Sequence, residues 1–211
     1  MTDVWSERAE GYRESEAHRQ GRDLELFAQW AEGETALDVA TGGGHVANRL
    51  RAAGLNVVTI DPAPGMEPDV VSRAEEIPFA DASFDVVACR VAAHHFQDPG
   101  GALQEMARVS RSLVLVADNL YLGEAGEEAD RLRDPTHVRN YSEQEWREMF
   151  DAARLDVEAF EREDKRIGLE PWLERAGTPP EDAARVRELL ADRIEEGRVR
   201  LDRGIFEARV R

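Results

Sequence analysis

The stretch ALDVATGGGHVA, residues 36–47, decides the fold. An apolar run from Ala36 to Ala40, carrying Asp38, meets three glycines and then a segment of helical character over residues 45–53. Glycines between a strand and a helix let a parallel α/β sheet bring its backbone close to a ligand. Two registers fit. Gly42-x-Gly44-x-x-Ala47 satisfies the dinucleotide fingerprint. Counted from Asp38, the same residues read acid-x-Ala-x-Gly-x-Gly, the signature of a different cofactor. The loop alone does not choose between them.

Outward from this loop, short apolar strands alternate with helical segments. Strands are expected at 35–40, 55–61, 69–72, 84–91 and 111–118, with a helix near 99–109. Near-continuous Val, Leu and Ile runs imply a parallel sheet covered on both faces. Upstream, residues 6–32 read as two helices broken near Gly21, with Leu24, Phe27, Ala28 and Ala31 at helical spacing. Downstream, an amphipathic helix is expected over 142–154, opened by a Ser142/Glu145 capping box and burying Trp146 and Phe150. An exposed strand over 155–163, a charged helix over 181–197 after Pro179-Pro180 and a last strand from Leu201 complete the pattern. The polar segments 119–140, with His137 in Asp134-Pro135-Thr136-His137, and 165–180, with Trp172, read as insertions over the ligand edge of a single domain spanning 1–211.

Composition narrows the function. Forty-four acidic residues against 27 basic give a net charge of -17, a field that repels phosphate backbones and disfavours nucleic acid as a partner. All basic residues but Lys165 are arginine. No segment approaches the ~18 apolar residues of a membrane span, and the charged N-terminus lacks the apolar core of a secretory signal, so a cytoplasmic protein is expected. Cys89, the single cysteine, excludes an internal disulfide and a cysteine-based zinc site. The adjacent pair His94-His95 lacks a ligand set, and no metal is expected. The oligomeric state is left open.

Five stretches, in order, carry a resemblance: ALDVATGGGHVA, VVTIDPAPGM, AEEIPFADASFDVVACRVAAHHFQDP, EMARVSRSLVLVAD and DPTHVRNYSEQEWREMF. Together they resemble the class I S-adenosylmethionine-dependent methyltransferases, specifically the small-molecule type 11 group that includes the quinone C-methyltransferases. The leading segment GYRESEAHRQGRDLELFAQW is similar to that group's N-terminal helices. The most specific stretch is the third, since IPF, FDVVACR and HHF have no counterpart in the dinucleotide fingerprint.

The resemblance implies a Rossmann-like α/β fold, a seven-stranded, mostly parallel sheet with helices on both faces and a last antiparallel strand. It implies S-adenosylmethionine as cofactor and a small-molecule methyl acceptor. Asp38 would attract the methionine ammonium. Gly42 and Gly44 would let the backbone pass beside methionine and ribose without Cβ collisions, with Ala40 and Thr41 in the same cofactor loop. Asp61 would accept from the ribose hydroxyls, with Pro62 and Met66 near the adenine and Ala74 and Glu75 along its edge. Arg90 would offer its backbone carbonyl to the methionine amino group; its side chain is a separate question, since a cation there could also meet an anionic substrate. Tyr12 would close over the methyl end. His95 and His137 are the candidates for touching the acceptor or moving a proton. Three departures stand out: Ala40 replaces the first glycine, Arg73 replaces an adenine-binding aspartate, and Ser110-Arg111-Ser112 replaces a glycine pair. Arginine accepts no hydrogen bond, so the adenine contact would be lost or moved to Glu75 or Glu76. Two rivals follow from the residues: a nicotinamide-dependent oxidoreductase, from the Gly42/Gly44/Ala47 spacing, and a non-catalytic S-adenosylmethionine-binding module, from Arg73 and the want of an identifiable base.

Overall fold

The computed structural model describes residues 3–211. Three helices lead: α1 (Val4–Glu14), α2 (Glu16–Arg19) and α3 (Arg22–Trp30). The chain leaves the helical region at Ser15 as well as at Gly21, which splits the two helices expected over 6–32 into three. The sheet then builds through β1 (Thr35–Val39), helix α4 (His45–Ala52), β2 (Asn56–Asp61), β3 (Val70–Val71), β4 (Phe84–Arg90), helix α5 (Pro99–Val109) and β5 (Ser110–Asn119). After α6 (Glu124–Arg133) and α7 (Glu143–Ala152) come β6 (Leu155–Gly168), α8 (Leu169–Ala176), α9 (Pro180–Leu189), β7 (Ile194–Glu195) and β8 (Arg198–Val210).

Seven strands run in the order β3-β2-β1-β4-β5-β8-β6. Strands β1 to β5 are mutually parallel, and β8 runs antiparallel to both β5 and β6. An eighth strand, the two-residue β7, forms a hairpin with β8. Glu196 and Gly197, both at positive φ (49° and 71°), make its two-residue turn. Positive φ at both loop residues is the type I′ geometry that suits a tight hairpin. The helix expected to reach residue 197 therefore ends at Leu189.

Period-two alternation sorts the strand residues between two cores. Leu37, Val39, Val87, Cys89, Val114 and Val116 pack towards α5 and α7, where Trp146 and Phe150 are fully buried. Ala36, Val86, Ala88, Leu113 and Leu115 pack the other face under α3 and α4. Helix α7 opens with the capping box expected from Ser142 and Glu145.

The two segments expected as insertions prove to be ordered parts of a cap. Residues 165–168 continue β6, and α6, α8 and α9 share an apolar cluster with the start of β8, built on Trp172, Leu173, Val186, Val199 and Leu201. Trp172 is buried in that cluster. Among the described residues, no helix is long and apolar enough to cross a membrane.

Candidate active site

A cavity of about 400 Å³ opens at the C-terminal ends of β1, β2 and β4, where an open parallel sheet presents its ligand edge. Helix α1 closes it from one side through Trp5 and Tyr12. Most of the residues expected around a cofactor line it: Tyr12, Asp38, Ala40, Thr41, Gly42, Asp61, Pro62, Met66, Ala74, Glu75 and Arg90. Gly44 is not in the wall. It sits at φ +74° as the residue that starts α4.

The loop after β1 is held by two carboxylates. Asp61, at the end of β2, accepts the Gly42 amide at 3.0 Å on one oxygen and the Ala63 amide at 2.9 Å on the other. Burial raises its pKa, opposed by those two amides. Each oxygen keeps a lone pair for a further donor. Asp38 is 1% exposed and accepts from the Thr41 hydroxyl at 2.6 Å and the Ala47 amide at 3.0 Å. Burial drives its pKa up to about 7 against these two donors.

Two residues of the wall hold a strained backbone. Ala40, where the related pattern has glycine, sits at φ +54°, and Val91, just past β4, at φ +53°. A β-branched residue in this region is a marked outlier, and such strain gathers at ligand sites. Gly42 is at φ +51°, and a Cβ built on it would meet no atom closer than 4.0 Å, so it would enter the cavity. Gly43, which the motif count skipped, is constrained by its neighbours. A Cβ there would lie 2.8 Å from His45 Nε2 and 2.9 Å from the Tyr12 carbonyl. His45 donates from Nε2 to that carbonyl at 2.9 Å, tying α1 to the glycine loop.

The histidines divide. His95 lines the cavity, its ring edge-on to Trp5 with centroids 4.6 Å apart, and donates from Nδ1 to the Thr136 carbonyl at 3.0 Å. Burial, with His94 beside it, pushes its pKa down to about 3, so it is neutral with Nε2 left as an acceptor. His94 is buried against Asp118, Nδ1 to carboxylate 2.6 Å. Burial opposes its charge, but Asp118 outweighs burial and raises its pKa. His137 does not reach the cavity: its side chain is 1% exposed and donates from Nε2 to Glu127 at 3.2 Å. The expectation that it faces the acceptor is corrected accordingly.

The Arg90 side chain is also committed. It pairs with Asp23 through Nε (2.7 Å) and Nη2 (3.0 Å) and donates to the His18 carbonyl at 2.9 Å. Asp23, fully buried, also pairs with Arg203 at 2.7 Å. Burial alone would raise the Asp23 pKa, but the two guanidiniums hold it well below the usual carboxylate range. The side chain is thus the clamp between α3 and the sheet, not a free anion receptor. Arg73, exposed at the cavity wall, faces the half-buried Glu75 at 3.4 Å.

A family model described as a methyltransferase domain matches residues 37–115. YcgJ, an uncharacterized methyltransferase of Bacillus subtilis, is 33% identical over 200 residues, covering 83% of this chain and 79% of its own. The chain belongs to the class I S-adenosylmethionine-dependent methyltransferases. The crystal structure of YcgJ superposes on this methyltransferase with a TM-score of 0.81, covering 90% of this chain and 98% of that one at 28% identity. A putative methyltransferase from Bacillus halodurans gives a TM-score of 0.75 at 27% identity over 90% of this chain and 99% of its own. The demethylmenaquinone methyltransferase of Renibacterium salmoninarum is 37% identical over 89 residues, 37% of this chain and 38% of its own.

Family and fold imply S-adenosylmethionine binding, and the residues present fit that ligand. The cavity lies in the size range of small-molecule sites. Its wall carries the carboxylates of Asp38, Asp61 and Glu75, apolar side chains that include Met66, Ala74 and Phe96, and a glycine whose missing Cβ leaves room. The nicotinamide reading loses its support, since the chain's family is now fixed and Gly44 opens a helix outside the wall. Among the described residues, no group of three or more His, Cys, Asp or Glu is placed to hold a metal ion.

Sequence reasoning missed Trp5, His18, Gly43, His45, Val91, Phe96 and Gln97 in the wall. For Trp5 and His18 the available signal was their presence in the N-terminal helices that also carry Tyr12. For Val91 there was none, because a valine after a strand reads as more strand.

Proposed function

We propose that this enzyme binds S-adenosylmethionine in the 400 Å³ cavity and methylates a small molecule that enters beside His95. The observation that carries the reading is Asp61, positioned at the sheet edge by the Gly42 and Ala63 amides with a lone pair free on each oxygen. In this reading Asp61 accepts from the two ribose hydroxyls. Met66 and Pro62 pack against the adenine, and the Ala74-Glu75 backbone runs along its edge. Asp38, Thr41 and the Arg90 carbonyl face the methionine ammonium, and Gly42 makes room for the chain between.

The cofactor supplies an electrophilic methyl group on a sulfonium, so displacement needs alignment and exclusion of water more than a protein nucleophile. Trp5, Tyr12 and Phe96 exclude water from the end of the cavity nearest His95. Neutral His95 orients the acceptor through Nε2 and takes a proton only from a strongly acidified donor, given its low basicity. The acceptors best matched are those whose nucleophile is already unprotonated or readily loses its proton. His137 acts only by steadying the 134–140 segment through Glu127.

The net charge of -17 supports a small acceptor over a nucleic acid. The demethylmenaquinone enzyme matches too little of this chain to carry its acceptor across. Calorimetry with S-adenosylhomocysteine and with NADH tests the cofactor: binding of the first and not of the second is expected, and the reverse would refute it. Transfer of labelled methyl from S-adenosylmethionine to members of an acceptor panel tests the reaction.

A further inference from the structure

Behind the cofactor cavity lies a smaller one of about 40 Å³, and Tyr12, His18, Val91 and His95 line both. The smaller cavity therefore meets the larger at the end where Tyr12 and His95 stand. Its far wall is cationic: Arg133 from α6, Arg175 from α8 and Arg203 from β8. Among the described residues no aspartate or glutamate lines it, although the chain carries 44 acidic residues against 27 basic.

The counter-charges behind these arginines are too few. Asp23 serves both Arg90 and Arg203, each at 2.7 Å. Asp134 pairs with Arg8 at 3.1 Å and lies 3.9 Å from Arg133, whose other acid, Asp130, is 3.7 Å away. Among the described residues Arg175 has no carboxylate within ion-pair distance; it donates to the Ser15 hydroxyl at 3.2 Å, and its Cζ lies 5.9 Å from the centroid of the Tyr12 ring. The Nε–H groups of Arg133 and Arg203 are buried and find no hydrogen-bond partner among the described residues. Buried guanidiniums with unmatched charge and open donors are costly unless a ligand completes them, and the planar donor fork suits a carboxylate. The space suits one too, since about 40 Å³ accommodates roughly three water-sized atoms. The larger cavity already has the volume of a cofactor site, so this space is not needed to hold the cofactor.

We infer that the methyl acceptor is a carboxylate-bearing small molecule, its carboxylate held by Arg133, Arg175 and Arg203 and its nucleophilic atom directed past His95 to the cofactor. This rests on the larger cavity being the cofactor's. A neutral acceptor such as a quinone gives these arginines nothing to pair with.

The test compares acid and amide on the S-adenosylhomocysteine complex, by ligand-observed proton NMR titration with propionate and propionamide. Propionate is expected to bind at least tenfold tighter. Arg175→Met should remove most of that preference and Arg175→Lys should retain part of it. Calorimetric affinity for S-adenosylhomocysteine should stay within about twofold in both variants. Equal binding of propionate and propionamide by the native chain would overturn the inference and leave the cofactor reading intact, whatever the variants do. A tenfold loss of S-adenosylhomocysteine affinity in Arg175→Met, with 5′-methylthioadenosine binding unchanged, would also overturn it, by assigning the arginines to the cofactor's own carboxylate. Failure of the native chain to bind S-adenosylhomocysteine would overturn the cofactor reading and the inference with it.

Discussion

Cofactor affinity should depend on pH through Asp38. The residue is fully enclosed, and burial lifts its pKa from 3.8 to about 7 even though Thr41 and Ala47 donate to it. In the ligand-free protein the folded state therefore keeps a proton that the unfolded chain has lost between about pH 4 and 7. Stability falls as pH rises across that window and is flat above it, a total of about 4 kcal/mol for a shift of about three units. An ammonium beside Asp38 favours the ionised form and must expel that proton to pair with it. At pH 5 only about one molecule in a hundred has Asp38 ionised. S-adenosylhomocysteine should accordingly bind about 100-fold more weakly at pH 5 than at pH 8. Calorimetry in buffers of different ionisation enthalpy should show close to one proton released near pH 6. Asp38→Asn supplies an oxygen for the same two donors and should flatten the profile. An affinity that does not change between pH 5 and 8 in the native protein would refute the assignment of Asp38 to the ammonium.

Three further outcomes are expected. Asp61→Ala should weaken S-adenosylhomocysteine by about 1.5–3 kcal/mol, roughly 10- to 150-fold, the range for a charge-assisted hydrogen bond; the Gly42 and Ala63 amides lose their acceptor too, so melting temperature should be read alongside affinity, and a folded variant with native affinity would count against the ribose role. Gly42→Val should abolish cofactor binding, since its side chain enters the cavity from a backbone at φ +51°, and normal calorimetric binding would show that the ligand passes elsewhere. Ala40→Gly should stabilise the protein by about 0.5–1 kcal/mol in denaturant titrations, because Ala40 sits at φ +54° where glycine carries no Cβ penalty; a loss of stability would mean that the methyl group's packing outweighs the strain.

Where local chemistry sets the structure, the sequence was informative. The Val/Leu runs around Ala36–Val39, Val86–Cys89 and Leu113–Val116 are buried central strands, and Ser142 with Glu145 caps the helix that they announce. The wall of the larger cavity is legible for the same reason, since Asp38, Gly42 and Asp61 stand at strand ends that their own neighbours define. The rest depends on partners far away in the chain. Nothing near Arg90 reveals that Asp23, which Arg203 shares, and the His18 carbonyl will occupy its guanidinium and leave it unavailable to an anionic substrate. Nothing near His137 reveals that Glu127, 10 residues earlier on α6, will hold its ring away from the cavity. Val91 at positive φ is likewise imposed by the fold against its own preference.

Those distant contacts also divide the charge of the site in a way that bears on the reaction. Asp38 and Asp61 lie on the side assigned to a cationic cofactor, and Arg133, Arg175 and Arg203 lie on the opposite side of Tyr12 and His95. The residues common to both cavities carry no full charge near neutrality. Val91 is aliphatic, burial raises the Tyr12 pKa, and burial lowers those of His18 and His95. For His18 the arginines Arg175, Arg90 and Arg203 add to the effect, so the same cations that await an anion also keep the junction histidine neutral. Methyl transfer from a sulfonium neutralises charge when the nucleophile is anionic and disperses it when the nucleophile is neutral, so an uncharged junction of low dielectric penalises the reactants more than the transition state. Water at the junction would reverse that advantage, which gives Trp5, packed edge-on against His95 from the N-terminal helix, a role in the chemistry rather than in the fold alone.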